Sequence, residues 1–277
     1  MTSDRAHPLD LDAYLARIGL PGEHRPTAEV LRAVHRAHSL AIPFENLDPV
    51  LGSAPSLALA DLEAKLVRGR RGGYCFEHNT LFAAALTALG FRVTTLGARV
   101  VLGAAPGAVR PRTHMLMTVA VPGEPTPYAA DVGFGSTGGL LEPIPLAPGA
   151  EVHDSPRRHR LVTTPHDGPL ERWELQAYTA DGAWESQYAF TPEPFEAPDF
   201  EAMNWYIATY PRSPFRTGVR VQRTVPGAHL ALVGRTLTVT ADDGGHEVRE
   251  LADGDEVLRV LAAEFGIHLP SDTRLPG

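Results

Sequence analysis

"NTLFAAALTALGFRVTTLGARVVL" spans residues 79–102, and the fold class turns on how it is read. Up to Gly90 the apolar residues Leu81, Phe82, Ala85, Leu86 and Leu89 recur at helical spacing, and the glycine ends the pattern. From Phe91 the period is two, in a run rich in β-branched residues. Helices that give way to strands at one point in the chain make an α+β protein.

Upstream, the helical period repeats three times. "LDAYLARIGL" carries Leu11, Tyr14, Leu15 and Ile18 on one face, and "TAEVLRAVHRAH" carries Val30, Leu31, Val34 and Ala37 behind Thr27 as N-cap. "LADLEAKLVRG" repeats it through Leu59, Leu62 and Leu66. Four amphipathic helices with short links predict a helical bundle over residues 1–90. Downstream, "HMLMTVAV", "PYAADVGF", "HRLVTT", "RWELQAY" and "WESQYAF" are short strands between Gly/Pro-rich turns, which favours an antiparallel barrel or sandwich over 91–197. A helix near "DFEAMNWYIATYP", four strands from "VRVQRTV" to "HEVREL" and a last helix in "DEVLRVLAAEFG" make 198–277 mixed α and β.

The 277 residues are 43% hydrophobic and 21% charged, the composition of an ordinary globular chain. A net charge of -8 without a basic run argues against a nucleic-acid partner. No stretch approaches the roughly 20 apolar residues of a membrane span, and the first residues lack a signal-peptide core. One cysteine cannot form an internal disulfide, so a reducing cytoplasm is the expected compartment. Arginine takes nearly every cationic position, as in a GC-rich genome; the single lysine, Lys65, is given no role on that ground.

The lone cysteine sits in "RGRRGGYCFEHN", residues 68–79. A free cysteine is by default a small buried hydrophobe. Here Gly72 and Gly73 precede Cys75 and a helical pattern follows, so the thiol meets the positive end of a helix dipole, which favours the thiolate. Such a nucleophile needs an imidazole base and a group to orient it. Among twelve histidines, His78 is nearest in sequence and reads as structural or solvent-facing, whereas His114 opens the strand "THMLMTVAV". The next strand, "YAADVGFG", carries Asp131, and antiparallel pairing would set the two side by side as a Cys75–His114–Asp131 triad. "VGFGSTGG" lacks the spacing of a nucleotide fingerprint, but its sparse side chains would let a thin acyl carrier approach the thiol past Phe134. In "AIPFENLDP", Glu45 needs a partner if buried, and Arg70 or Arg71 beside the cysteine supplies one.

"PFENLD", "RGGYCFEHN", "THMLMTV", "DVGFG" and "NWYIATYPRSPF" followed by "VQR" resemble, in order and over nearly the whole chain, the signatures of the arylamine N-acetyltransferases. The resemblance implies a helical bundle, a β-barrel and an α/β lid around a cysteine-proteinase-like core. It implies a ping-pong reaction in which Cys75 takes the acetyl group of acetyl-coenzyme A and passes it to an arylamine, arylhydrazine or N-hydroxyarylamine. His114 would be the base and Asp131 its orienter, with no metal. Arg112 and Thr113 match positions near the acyl acceptor; Phe44, Tyr74 and Phe134 match pocket-lining aromatics; Gly135 and Ser136 are assigned to the coenzyme. His78 departs from the glutamine more usual there and sets a second titratable ring near the thiol, which leaves open whether it alters the pH profile. Three other readings stand beside this one: a cysteine protease or transglutaminase-like enzyme, a macrolactam-forming amide synthase on the same fold, and a binding module with an inert thiol.

Overall fold

A computed structural model describes residues 9–105, 107–154 and 157–275. The described residues open with α1 (Leu11–Arg17), α2 (Ala28–Ala41), strand β1 (Phe44–Glu45), the one-turn helices α3 (Leu47–Val50) and α4 (Leu59–Leu62), a π-helical stretch over Glu63–Arg68, and α5 (Cys75–Ala88). Thr27 caps α2 as its position predicts, accepting a hydrogen bond from the Val30 N–H. "LADLEAKLVRG" is not a single α-helix. Past Leu62 the coil widens until the Gly69 N–H reaches the Ala64 carbonyl five residues back.

The barrel strands are β2 (Arg92–Val100), β3 (His114–Ala120), β4 (Tyr128–Ala130), β5 (Ile144–Pro145), β6 (Glu151–Asp154), β7 (Arg157–Thr164), β8 (Arg172–Tyr178) and β9 (Trp184–Pro194). They run antiparallel in the order β5-β4-β3-β2-β9-β8-β7-β6, and the edge strands β5 and β6 approach each other, so the sheet is nearly closed. Among the described residues, sequence period finds six of these eight strands; β5 has only two residues, and β6, "EVHD", has a single apolar residue to show alternation. The remaining elements are α6 (Ala197–Thr209), α7 (Pro214–Thr217), β10 (Arg220–Val225), β11 (Ala228–Val233), β12 (Thr236–Ala241), β13 (His246–Glu250) and α8 (Gly254–Phe265).

The second sheet runs β1-β10-β11-β12-β13, so it takes its first strand from the helical segment: Phe44 pairs with Gln222 and Glu45 with Val221. A boundary at residue 90 does not anticipate this seam. Apolar side chains of α1, α2 and α5 pack on one face of β3 and β4 in one core, the barrel interior forms a second, and α8 against the second sheet a third. A fourth, smaller cluster surrounds Cys75 where the segments meet.

Candidate functional site

Cys75 is the first residue of α5, and the preceding Tyr74 is extended. The start of this helix is fixed by Glu77, whose Oε2 accepts the Tyr74 N–H at 3.1 Å, satisfying one of the donors that a helix N-terminus leaves open. Gly73 makes the fold-back possible: a Cβ there would lie 2.8 Å from the Glu77 side chain. The thiol is 4% exposed, and its Sγ lies 3.8 Å from the Thr113 carbonyl.

Pairing of β3 with β4 carries His114 to Asp131, as the strand order predicts. His114 Nε2 donates to Asp131 Oδ2 at 2.7 Å, with both groups buried. That bond leaves Nδ1 for the thiol. Burial alone would lower the His114 pKa, but the Asp131 charge and hydrogen bond, with those of Cys75, push it up to about 10. Burial likewise opposes ionisation of Asp131, and the His114 charge with bonds from His114, Asn79 and Gly133 outweighs it, holding the carboxyl below its ordinary range. The ring and carboxylate therefore form an imidazolium–carboxylate pair at neutral pH.

Asp131 is held from three sides. Asn79, one turn along α5 from Cys75, donates to Asp131 Oδ1 at 2.9 Å and to the Met115 carbonyl at 2.7 Å, and accepts from the Val132 N–H. The Gly133 N–H also reaches Oδ1, and the Asp131 N–H donates to His35 Nε2 at 3.2 Å. The turn after β4 lies so close to α5 that a Cβ on Gly133 would stand 2.7 Å from Cys75 Cα. Asn79 and His35, which hold Asp131, are not singled out by the sequence pattern. Each looked like one more polar residue of a helix.

Of the other predicted residues, Phe134 packs edge-on to the His114 ring, centroids 5.2 Å apart, and Phe44 flanks the cluster that contains Cys75. Arg112 turns its guanidinium over the Phe195 ring and pairs with Glu193 at 2.8 Å. Tyr74 is fully buried in the cluster that contains Cys75: its hydroxyl donates to Asn204, and its ring meets Phe76 and Phe215 edge-on. Gly135 and Ser136 line a cleft of about 40 Å³ with Gln222 and Thr224, room for little more than a water. The aromatic wall beside the thiol includes Phe195, Phe200 and Phe215, which were not predicted. Their signal was present in the proline-punctuated stretches "PEPFEAPDF" and "PRSPF".

His78 is buried and belongs to a chain of uncharged groups. The Pro43 carbonyl can only accept, so His78 donates from Nε2 (3.1 Å); its Nδ1 then accepts from His38 Nε2 (2.9 Å), whose Nδ1 accepts from the Tyr14 hydroxyl (2.9 Å). Burial holds His78 at about 4, so its ring is neutral throughout the neutral range. Glu45 pairs with Arg71, not Arg70.

Residues 27–274 match a family model described as N-acetyltransferase, which places the chain in an acyltransferase class. It is 41% identical to an arylamine N-acetyltransferase of Mycolicibacterium smegmatis, over 94% of this chain and 93% of that one, and 36% identical to one of Escherichia coli, over 93% and 88%. The crystal structure of the Nocardia farcinica arylamine N-acetyltransferase superposes with a TM-score of 0.88 at 43% identity, covering 96% of this chain and 92% of that one. The Mycobacterium marinum enzyme, solved in complex with CoA, superposes with a TM-score of 0.85 at 38% identity over 93% of each chain. The chain belongs to the arylamine N-acetyltransferase family and is an enzyme.

Proposed function

We propose that the protein transfers an acetyl group from acetyl-coenzyme A to an arylamine, arylhydrazine or N-hydroxyarylamine through a thioester on Cys75. The observation that carries this reading is the buried His114–Asp131 pair beside a thiol at the first residue of a helix. In the first half-reaction the Cys75 sulfur attacks the donor carbonyl, the bond to the coenzyme sulfur breaks, and the His114 imidazolium protonates that leaving thiolate. In the second, the acceptor amine attacks the acetyl-cysteine, His114 takes the proton the nitrogen gives up, and the Cys75 sulfur leaves. Asp131 keeps the ring oriented and stabilises its charge in both directions.

Phe44, Phe134, Arg112 and Thr113 would bound the acceptor side, joined by Phe195 and Phe215, whose rings suit a flat aromatic amine. The coenzyme A bound by the M. marinum relative supports the same donor here, with Gly135 and Ser136 as contacts once their narrow cleft widens. Mass spectrometry after mixing with acetyl-coenzyme A tests the reading. A gain of one acetyl group on Cys75, absent in Cys75→Ala, is expected; a folded protein that gains none refutes it.

A further inference from the structure

The chain's single lysine lies beside the start of the helix that carries the thiol. Lys65 Nζ is 2.6 Å from Glu77 Oε1 and 2.6 Å from Asp48 Oδ2, and its side chain is 17% exposed. Arg71 continues the chain of charges, reaching Asp48 Oδ1 at 2.9 Å and Glu45 Oε1 at 2.7 Å, while Glu45 Oε2 accepts the Leu47 N–H. Three carboxylates thus share two cations. Glu77 is the most consequential of them, because its other oxygen holds the backbone N–H of the residue before Cys75.

We propose that Lys65 is a positioning residue for acyl transfer: its ammonium, clamped between Asp48 and Glu77, fixes the first turn of α5 and so the Cys75 thiol relative to His114. The inference rests on the transferase reading for its chemistry and on geometry for its mechanism. Lys65 lies in the π-helical stretch Glu63–Arg68, and such widened turns recur at functional sites.

The groups around Glu77 leave it no other partner of opposite charge among the described residues. Asp48 of α3 and Glu45 of β1 are acidic, Arg71 is engaged with both, and on α5 itself His78 is neutral. Burial pushes the Glu77 carboxyl up and the Lys65 charge opposes that rise. Without the ammonium, the carboxylate takes a proton or swings toward solvent. A carboxylic acid is a weaker acceptor than a carboxylate or an amide, and a displaced side chain accepts nothing, so either change loosens the hold on the Tyr74 N–H, and the thiol moves with the turn. Displacements of about 1 Å at a reacting atom slow reactions on the order of 100-fold.

Rates of Cys75 acetylation by acetyl-coenzyme A, followed by quenched mass spectrometry, test this in wild type, Lys65→Arg, Lys65→Met and the double variant Lys65→Met/Glu77→Gln. Lys65→Met should acetylate on the order of 100-fold more slowly, with donor KM within about twofold of wild type. Lys65→Arg should keep most of the rate. The double variant buries no lone charge and keeps an acceptor for the Tyr74 N–H, so it should regain about tenfold, one decade of transition-state stabilisation; it also carries the test if Lys65→Met does not fold. Acetylation of Lys65→Met at the wild-type rate, or a folded double variant no faster than Lys65→Met, overturns the proposal. A lowered melting temperature with unchanged rates in all variants overturns it too, leaving Lys65 a purely structural residue. Should wild type take no acetyl group, the transferase reading fails by itself. Alkylation of Cys75 by iodoacetamide then decides the Lys65 question, equal rates in wild type and Lys65→Met refuting it.

Discussion

Below neutral pH the fold should fail steeply, because its interior is packed with uncharged histidines. Burial holds His35, His78 and His159 at about 4 and His229 at about 3, against an ordinary 6.5, and pushes His38 lower in the same way. A depressed pKa means that the unfolded chain takes up each proton first, so stability is lost as pH falls from about 6.5 towards 4. Each proton steepens the loss by about 1.4 kcal/mol per pH unit, and by pH 5 each ring has cost about 2 kcal/mol relative to pH 7.5. Four rings together cost about 8 kcal/mol, within the 5–15 kcal/mol that holds a typical protein folded. His114 works in the other direction: its raised pKa contributes fully below about 6.5 and is lost as pH rises through about 10, so it limits the alkaline side. Urea midpoints followed by circular dichroism at pH 7.5, 6.5, 5.5 and 5 should fall with a slope of at least two protons. His78→Gln offers a donor for the Pro43 carbonyl and an acceptor for His38, so it should fold and lose one proton from that slope. A stability flat between pH 7 and 5 would show that these rings are protonated in the folded state and refute the reasoning.

Two further substitutions probe the supports of the site. Asn79→Ala orphans the Met115 carbonyl and the Val132 N–H at about 1–3 kcal/mol each, and frees one side of Asp131. The urea midpoint should drop and Cys75 acetylation slow by about 100-fold; a stable variant at the wild-type rate would deny Asn79 any hold on the acid. Glu45→Ala strips Arg71 of its most buried partner, a change that costs about 3–5 kcal/mol in pairs of this kind, so the melting temperature should fall by several degrees. Unchanged melting and unchanged activity would remove Glu45 from the scaffold.

What could be read from the sequence was what is local or repeats at short period. The switch of period at Phe91 separates the helices from the barrel, and the strand pair that joins His114 to Asp131 follows from two consecutive strands. The thiol at a helix start was equally visible, since Gly72 and Gly73 stand just before it. What stayed hidden depends on contacts distant in sequence. β1 is two residues long and pairs with β10 almost 180 residues away, so neither period nor propensity marks it. His35 and His38 occupy the buried stripe of α2 with Leu31 and Val34, but a histidine counts as polar until its partners are known, and those come from Asp131 and from His78. Lys65 shows the limit most plainly: composition treats a lone lysine in an arginine-rich chain as residue bias, whereas three carboxylates from β1, α3 and α5 converge around it and Arg71 only after the chain has folded. Its partners, not its rarity, make it informative, because a buried ammonium persists only where carboxylates offset the loss of its water.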